Sequence, residues 1–494
     1  MAAPANLILF QSDNHNRDVL GCYGHPIVKT PNLDRIASNG ARFANAYCTS
    51  SLCCPSRASL ATGMYPYQTG YWDNCIVYDG SRPSWATRIR DQGHTAVSVG
   101  KLHFRSTEDD NGFSQEIAPM HIIDGVGGLM MLLRWSDDEP VQSNQWRMYS
   151  TESKVGTSDY QDYDREISRL AIDWLTTEAA RQDKPWVLYV SYTSAHPPFS
   201  VPQRFWDMYP EEEMPLPLAF RAGERPEHPA YQHLRKTKGI GQMGTAEEAM
   251  LRRVAAGYFG LVSHLDEQIG TVMDAAESLG LSANTRIAYT SDHGESYGNH
   301  GLFGKCQLLE TAAAVPLLIS GPGIEPGQVI DEIASHVDLF PTIVESVGAT
   351  MAEADSAVAG ASLWPALRGA PEQRLGYGEY HAAHSASGSF FLRRDTDKLI
   401  YHADMPRELY DLSADPHETR NLLEDPSNRV AHNLADDLER ELRNICDPDA
   451  TNLRAKADQR QRAEEMGGNE AIAKMGALTR TPPPGAAINL ESTK

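Results

Sequence analysis

Positive charge is scarce in this chain of 494 residues: 44 Lys and Arg face 66 Asp and Glu, a formal net charge of −22. A surface that acidic repels nucleic-acid phosphates and anionic lipid, so neither polyanion is an expected partner. Long apolar runs are missing as well, and no stretch approaches the roughly 20 residues that span a bilayer. The apolar run at 7–10 has no basic flank and is too short for a secretory leader; it reads as a first core strand. A cytoplasmic location is therefore expected. Cysteine is sparse: the seven at Cys22, Cys48, Cys53, Cys54, Cys75, Cys306 and Cys446 include no Cys-x-x-Cys pair. That excludes a zinc ribbon, and the odd count in a long chain argues against a disulfide framework. What remains is ordinary globular composition, with length enough for one large domain and a smaller one.

Apolar strand-like runs alternate with amphipathic helical patterns over the first two-thirds. The pattern predicts strands at 7–11, 95–99, 186–191, 286–291 and 315–320. Helices are predicted at 31–40, with Thr30 as N-cap and Gly40 as stop, and at 250–279. Such alternation predicts an α/β domain over 1–370, a large mixed, mostly parallel sheet sandwiched by helices. From about residue 375 the character changes. Strands at 390–394 and 398–402, the run Glu408-Leu-Tyr-Asp-Leu and a helix at 426–445 predict a small antiparallel sheet with a helix over 371–448. Residues 449–494 are polar and Ala-rich, broken by Pro482-Pro483-Pro484-Gly485. They read either as a docked arm that makes a contact in a homodimer or homotetramer, or as an unstructured tail.

Two acidic pairs fall at predicted strand ends. Asp13-Asn14 follows the first strand, and Asp292-His293 follows the strand ending at Ser291. Parallel sheets bind ligands outside the carboxyl ends of their strands, so both pairs arrive at one edge. Asp and Asn oxygens suit Ca²⁺ or Mg²⁺, and His293 widens the choice to Mn²⁺.

Residues 53–63, Cys-Cys-Pro-Ser-Arg-Ala-Ser-Leu-Ala-Thr-Gly, carry the most information. Pro55 suits a first helical position and Gly63 a helix end, which predicts a short helix starting just after Cys53. Cys53 would sit where the helix dipole favours negative charge, with Arg57 one turn on as a fixed cation. Such surroundings stabilise an anionic nucleophile or an oxyanion.

This segment resembles the signature of the sulfatase family, Cys-x-Pro-Ser-Arg-x-x-Leu-x-Thr-Gly, at every fixed position. The likeness continues at Thr30-Pro31-Asn32-Leu33-Asp34, Gly100-Lys101-Leu102-His103, Ser291-Asp292-His293-Gly294 and His300-Gly301-Leu302-Phe303-Gly304-Lys305. Glu408-Leu-Tyr-Asp-Leu with Asp415-Pro416-His417-Glu418 is similar to the family's C-terminal sheet. The resemblance implies that a formylglycine-generating enzyme oxidises Cys53 to formylglycine, whose hydrate attacks a sulfate monoester. It implies that Asp13, Asn14, Asp292 and His293 hold a divalent ion with the modified Cys53, Ca²⁺ foremost. By the same resemblance Arg57 supports the nucleophile and the metal side. Lys101 and His103 match a pair that contacts sulfate and serves the base, Asn74 a sulfate-contacting amide, and His196 and Lys305 the leaving-group side. Lys305 or His196 would donate the proton to the departing oxygen.

Two positions depart from the commonest pattern: Asn14 stands where many members have Asp, and His293 where many have Asn. Members resembling choline-sulfatase and phosphonate monoester hydrolases share them. The expected substrate is an aryl or small alkyl sulfate; the alternative is a phosphonate monoester or phosphodiester. Retention of Lys101-x-His103 leans towards sulfate. The segment 202–241, with Trp206, Tyr209 and Tyr231, is expected to wall the pocket. Gly294-Glu295-Ser296-Tyr297-Gly298 matches a Gly-x-Ser-x-Gly elbow literally, but Asp292-His293 already occupy the turn off the strand, so a serine nucleophile is set aside. A non-catalytic anion-binding protein with an unconverted Cys53 is the remaining reading.

Overall fold

Leu7, Ile8, Leu9 and Phe10 follow one another without a polar residue, so a strand made of them must be covered on both faces. They form the middle of β1 (Asn6–Ser12), with Leu7 and Leu9 in one buried cluster and Ile8 and Phe10 in another. The computed structural model describes residues 3–133, 146–225, 227–241, 244–370, 372–475, 477–478, 480–488 and 490–491.

Around β1 lie β2 (Gly40–Tyr47), β3 (Ala96–Lys101), β4 (Gln115–Met120), β5 (Val187–Ser191), β6 (Thr285–Ser291), β7 (Leu317–Ser320) and β8 (Gln328–Ser335). The sheet order is β8-β2-β7-β6-β1-β5-β3-β4, and only β7 runs antiparallel to its neighbours. The α/β sandwich expected from the sequence is the observed class. β4 and β8, at the two edges, escaped the sequence reading because edge strands carry no continuous apolar run; β2, next to β8, lacks one too.

The helices that cover the sheet are α1 (Pro31–Ser38), α2 (Cys53–Thr62), α3 (Asp159–Thr177), α5 (Glu248–Ser278) and α6 (His336–Ser346), while α4 (Pro229–Thr237) packs Tyr231 and Leu234 with residues of the small C-terminal sheet. On one face α1, α3 and α5 set Ile36, Trp174 and Ile269 against Ile8 and Phe10. On the other, α2 and α6 set Leu60, Phe340 and Ile343 in the cluster of Leu7 and Leu9. Gly40, expected as a helix stop, instead opens β2. A Cβ there would come within 2.3 Å of the Ile319 carbonyl, so the tight pairing with β7 requires glycine.

A separate four-stranded antiparallel sheet contains β9 (Leu375–Tyr380), β10 (Ser389–Arg394), β11 (Asp397–His402) and β12 (Glu408–Asp411). One face takes Leu438 and Leu442 of α7 (Arg429–Ile445), while Phe391 and Ile400 of the other pack with Tyr47, Leu308 and Leu309 of the large unit. Beyond it, α8 (Pro448–Glu465) starts on Asp447, whose side chain accepts from the N–H groups of Asp449 and Ala450. With α9 (Asn469–Met475) it docks on its own chain, Ala463 and Ile472 packing with Cys75, Leu132 and Leu133. Among the described residues no helix is long and apolar enough to cross a membrane.

The small sheet is also tied down by charge. Lys398 on β11 is fully buried between Glu310 and Glu418, at 2.8 Å from each, and Arg17 reaches Glu310 at 3.2 Å. Removing one member of a buried network strands the others. Lys398→Met is therefore expected to destabilise the protein by about 3–5 kcal/mol in denaturant unfolding. Adding Glu310→Gln should cost less than the two single losses summed; additive losses would contradict the coupling.

Candidate active site

Asp13 and Asp292 follow β1 and β6, two adjacent parallel strands, so their carboxylates project from the same sheet edge. Both are completely buried. Their oxygens divide the work. On the Oδ2 side, Asp13 takes the Lys101 ammonium and, at 3.4 Å, Arg57, while Asp292 accepts from Arg57 Nε at 2.8 Å. On the Oδ1 side they face His293 Nε2, at 3.9 Å from Asp13 and 3.5 Å from Asp292. Cys53 Sγ lies 3.8 Å from Asp13 Oδ1 and 3.3 Å from His293 Nε2. The ligand atoms of Asp13, Cys53, Asp292 and His293 all lie within 4.8 Å of one another. Two hard carboxylate oxygens and an imidazole nitrogen at that spacing fit a divalent cation. His293 Nδ1 is 3.0 Å from the Gly294 carbonyl, a partner that leaves Nε2 free as a ligand.

The protonation states follow from burial. Desolvation pushes the Asp13 carboxyl up, but Lys101, Lys305, His196 and His293 together bring it well below the ordinary carboxylate range. Asp292 goes the other way: burial and the Asp13 charge outweigh Arg57 and Lys101 and raise it. One site therefore holds one committed carboxylate and one that gives up its proton reluctantly.

Cys53 is the first residue of α2, which runs to Thr62 and ends on Gly63 at a φ of 67°. Pro55 thus lies in the first turn and not at its first position. The helix N-terminus does not make a thiolate: burial and Asp13 push the Cys53 thiol up to about 11, against the pull of Lys305 and Lys101. Arg57 bonds Asp292, Ser191 and the Lys101 carbonyl, and so supports the carboxylates, not the sulfur. The cation at the sulfur is Lys305, whose Nζ is 3.1 Å from Cys53 Sγ and 2.8 Å from Asn14 Oδ1. Asn14 is fixed in turn, its amide donating to Glu295 at 2.6 Å.

Above Cys53 opens a pocket lined by Asn74, Lys101, His103, His196 and Lys305, so the structure brings these sequence candidates together. Asn74 Oδ1 accepts from the Cys54 N–H at 3.2 Å. The loop bearing His196 is anchored by Asp164 of α3, which accepts from Thr193 and Ser194 N–H. Burial and Lys305 lower the His196 pKa well below its ordinary value, and burial and Lys101 do the same for His103.

Other expectations need correction. Trp206 and Tyr209 sit in a cluster around α5, and Tyr231 bonds Glu408; none lines the pocket. Among the described residues of that segment only Lys238 does. The C-terminal residues Leu478, Arg480 and Thr481 line it too, and Thr481 Oγ1 lies 2.8 Å from His103 Nε2. No spacing signal marks such residues in the sequence. Ser296 is buried, its hydroxyl accepting from Gln307 at 3.1 Å, and it stands on no strand-to-helix turn. A second cluster, His228, His402 and Glu408, is also buried, but its ring nitrogens are taken by Pro406, Ser389, Glu408 and the Ala230 N–H.

The chain is similar to known proteins over most of its length. The profile of the Sulfatase family matches residues 5–349, and that of the N-sulphoglucosamine sulphohydrolase C-terminal region matches 298–446. Choline-sulfatase of Rhizobium meliloti (strain 1021) is 30% identical over 86% of this chain and 83% of its own. A solved protein in complex with its substrate D-glucosamine-2-N,6-O-disulfate superposes with a TM-score of 0.71 at 22% identity, over 90% of this chain and 99% of that one. Phosphonate monoester hydrolase of Agrobacterium radiobacter gives 0.70 at 23%, over 92% and 96%. At such identities the two structures speak for the fold alone.

Because Asp292 is raised in the free chain, a divalent cation must displace its proton to bind. Affinity for added Ca²⁺ should therefore rise with pH through the neutral range, with protons released. Calorimetry in two buffers of different ionisation enthalpy checks this; identical heats in both would contradict it.

Proposed function

The chain belongs to the sulfatase family, and we propose that it hydrolyses sulfate monoesters to an alcohol or phenol and inorganic sulfate, using a nucleophile made from Cys53. The supporting observation is the state of Cys53 itself. Its sulfur is the one reactive group at the meeting point of the acidic cluster and the cationic pocket, yet its thiol is held at about 11. An unmodified cysteine there is a weak nucleophile at neutral pH. Oxidation to formylglycine resolves the conflict: its hydrate offers one hydroxyl to attack sulfur and a second through which the ester bond to the enzyme is released. Asp13, Asn14, Asp292 and His293 would hold a divalent ion, Ca²⁺ in the first instance, which supplies positive charge beside the nucleophile and the sulfate oxygens.

The remaining work falls to the side chains. Lys101, Lys305, Asn74 and His196 bind and orient the sulfate group in the pocket. Lys305 keeps its proton, since Cys53, Asp13 and Asp292 outweigh its burial, so it neutralises charge at position 53 and can protonate a departing oxygen. His196 Nδ1 is 2.7 Å from the Pro197 carbonyl, so its Nε2 becomes a donor only on taking up a proton, which an anionic substrate favours. His103, neutral and with Nδ1 unpartnered, can accept the proton that restores the aldehyde. Lys101 beside His103 favours a sulfate over a phosphonate ester.

Conversion is tested by the mass of the Cys53 peptide after co-expression with a formylglycine-generating enzyme, where formylglycine is lighter than cysteine. With 4-nitrophenyl sulfate, Cys53→Ala is expected to lower kcat by on the order of 10⁴-fold or more, and Lys101→Ala by about 10²–10³-fold. Matched phenyl sulfate and phenyl phosphonate esters decide the reaction class: a higher kcat/KM on the phosphonate would overturn the sulfate reading.

A further inference from the structure

Attack on a sulfate group leaves one cation of the pocket without employment. Lys238, just past the end of α4, is 3% exposed and lines the pocket together with Tyr149, Lys305 and Cys306. Its Nζ donates to the carbonyls of Phe303 at 2.9 Å and Lys305 at 3.1 Å. Lys101 and Lys305 each have Asp13 within ion-pairing distance, at the Oδ2 and Oδ1 sides, and Arg57 has Asp292. Lys238 has no such carboxylate among the described residues. The direct partners of this buried ammonium are carbonyl dipoles, and the buried Glu295 acts on it from beyond ion-pairing distance, so a bound anion would meet a charge with no direct counter-ion.

A further cation enters from the C-terminal segment. Arg480 lies over the Tyr160 ring at 4.6 Å, pairs with Asp159 at 2.7 Å and lines the same pocket. Among the described residues the lining includes no Asp or Glu. Asp13 offsets Lys101 and Lys305, and Asp159 offsets Arg480, so Lys238 is the lining cation left without a direct ion pair among the described residues.

We infer that the pocket contains a second anion subsite anchored by Lys238, and that the preferred substrate is a sulfate ester whose leaving group carries its own carboxylate or second sulfate. This rests on the sulfatase reading above. Arg480 is the auxiliary cation, partly neutralised by Asp159. A leaving group with a quaternary ammonium is disfavoured by the same charges.

The test uses full-length, metal-replete enzyme with Cys53 converted, and compares ortho-, meta- and para-carboxyphenyl sulfates with their isosteric, uncharged amides. At least one carboxylate is expected to exceed its amide in kcat/KM by about tenfold, the scale of one charge-assisted hydrogen bond. That preference should shrink as ionic strength rises. Lys238→Gln keeps a donor for the Phe303 and Lys305 carbonyls but removes the charge, and should bring the ratio towards one. A loss in Lys238→Gln that is equal for acid and amide would show a structural role and overturn the proposal. Equal turnover of acids and amides by the unmutated enzyme, or preference for a trimethylammonium-alkyl sulfate, would overturn it while leaving sulfatase activity intact. Hydrolysis of none of these esters would remove the sulfatase reading and this inference together.

Discussion

Two carboxyl groups buried side by side are the constraint around which this protein is organised. Asp13 and Asp292 end adjacent strands and have no solvent to screen them. Such a pair persists only with counter-charge, and the chain provides it through Arg57 and Lys101 at the Oδ2 atoms and Lys305 beside Asp13 Oδ1. The Oδ1 atoms also face His293 and Cys53, and these four side chains form the buried cluster whose ligand atoms lie close enough together to hold a metal ion. The positions of α2 and of the end of β3 follow from this requirement, because each must deliver a cation to the same two carboxylates.

The same arrangement explains why the reactive position differs from an ordinary active-site cysteine. A helix start and nearby cations normally favour a thiolate. Here burial and the Asp13 charge oppose them and prevail. The pocket stabilises negative charge on what binds in it, not on the sulfur at its floor. That distinction separates a pocket suited to an anionic ester from one suited to a thiol nucleophile, and is the physical ground for proposing that Cys53 is oxidised.

Much of the central unit was readable in advance because its signals are local. Continuous apolar runs marked β1, β5 and β6, and the residues directly after β1 and β6 gave both acidic pairs. β4 and β8 were not readable, since an edge strand needs only one apolar face, and β2 beside β8 gave no clear run either. Nor were Lys238, Arg480 and Thr481, which lie far from any motif and join the pocket only through the docking of α4 and the C-terminal helices. The expectation that Trp206, Tyr209 and Tyr231 would wall the pocket failed for a related reason: aromatic residues are first claimed by cores, here those around α5 and the small sheet.

The sequence by itself determined which residues form the candidate site, because Cys53, Arg57, Lys101, Asp292 and His293 sit at fixed offsets from strand ends and one helix start. Those offsets are set by backbone geometry that short-range sequence controls. Tertiary structure alone decided how the charges are shared. It put Arg57 on the carboxylates and Lys305 on the sulfur, held the thiol protonated, and gave Lys238 carbonyl partners but no direct ion pair among the described residues. Electrostatic energies depend on distance and burial, and neither is encoded at any single position of the chain.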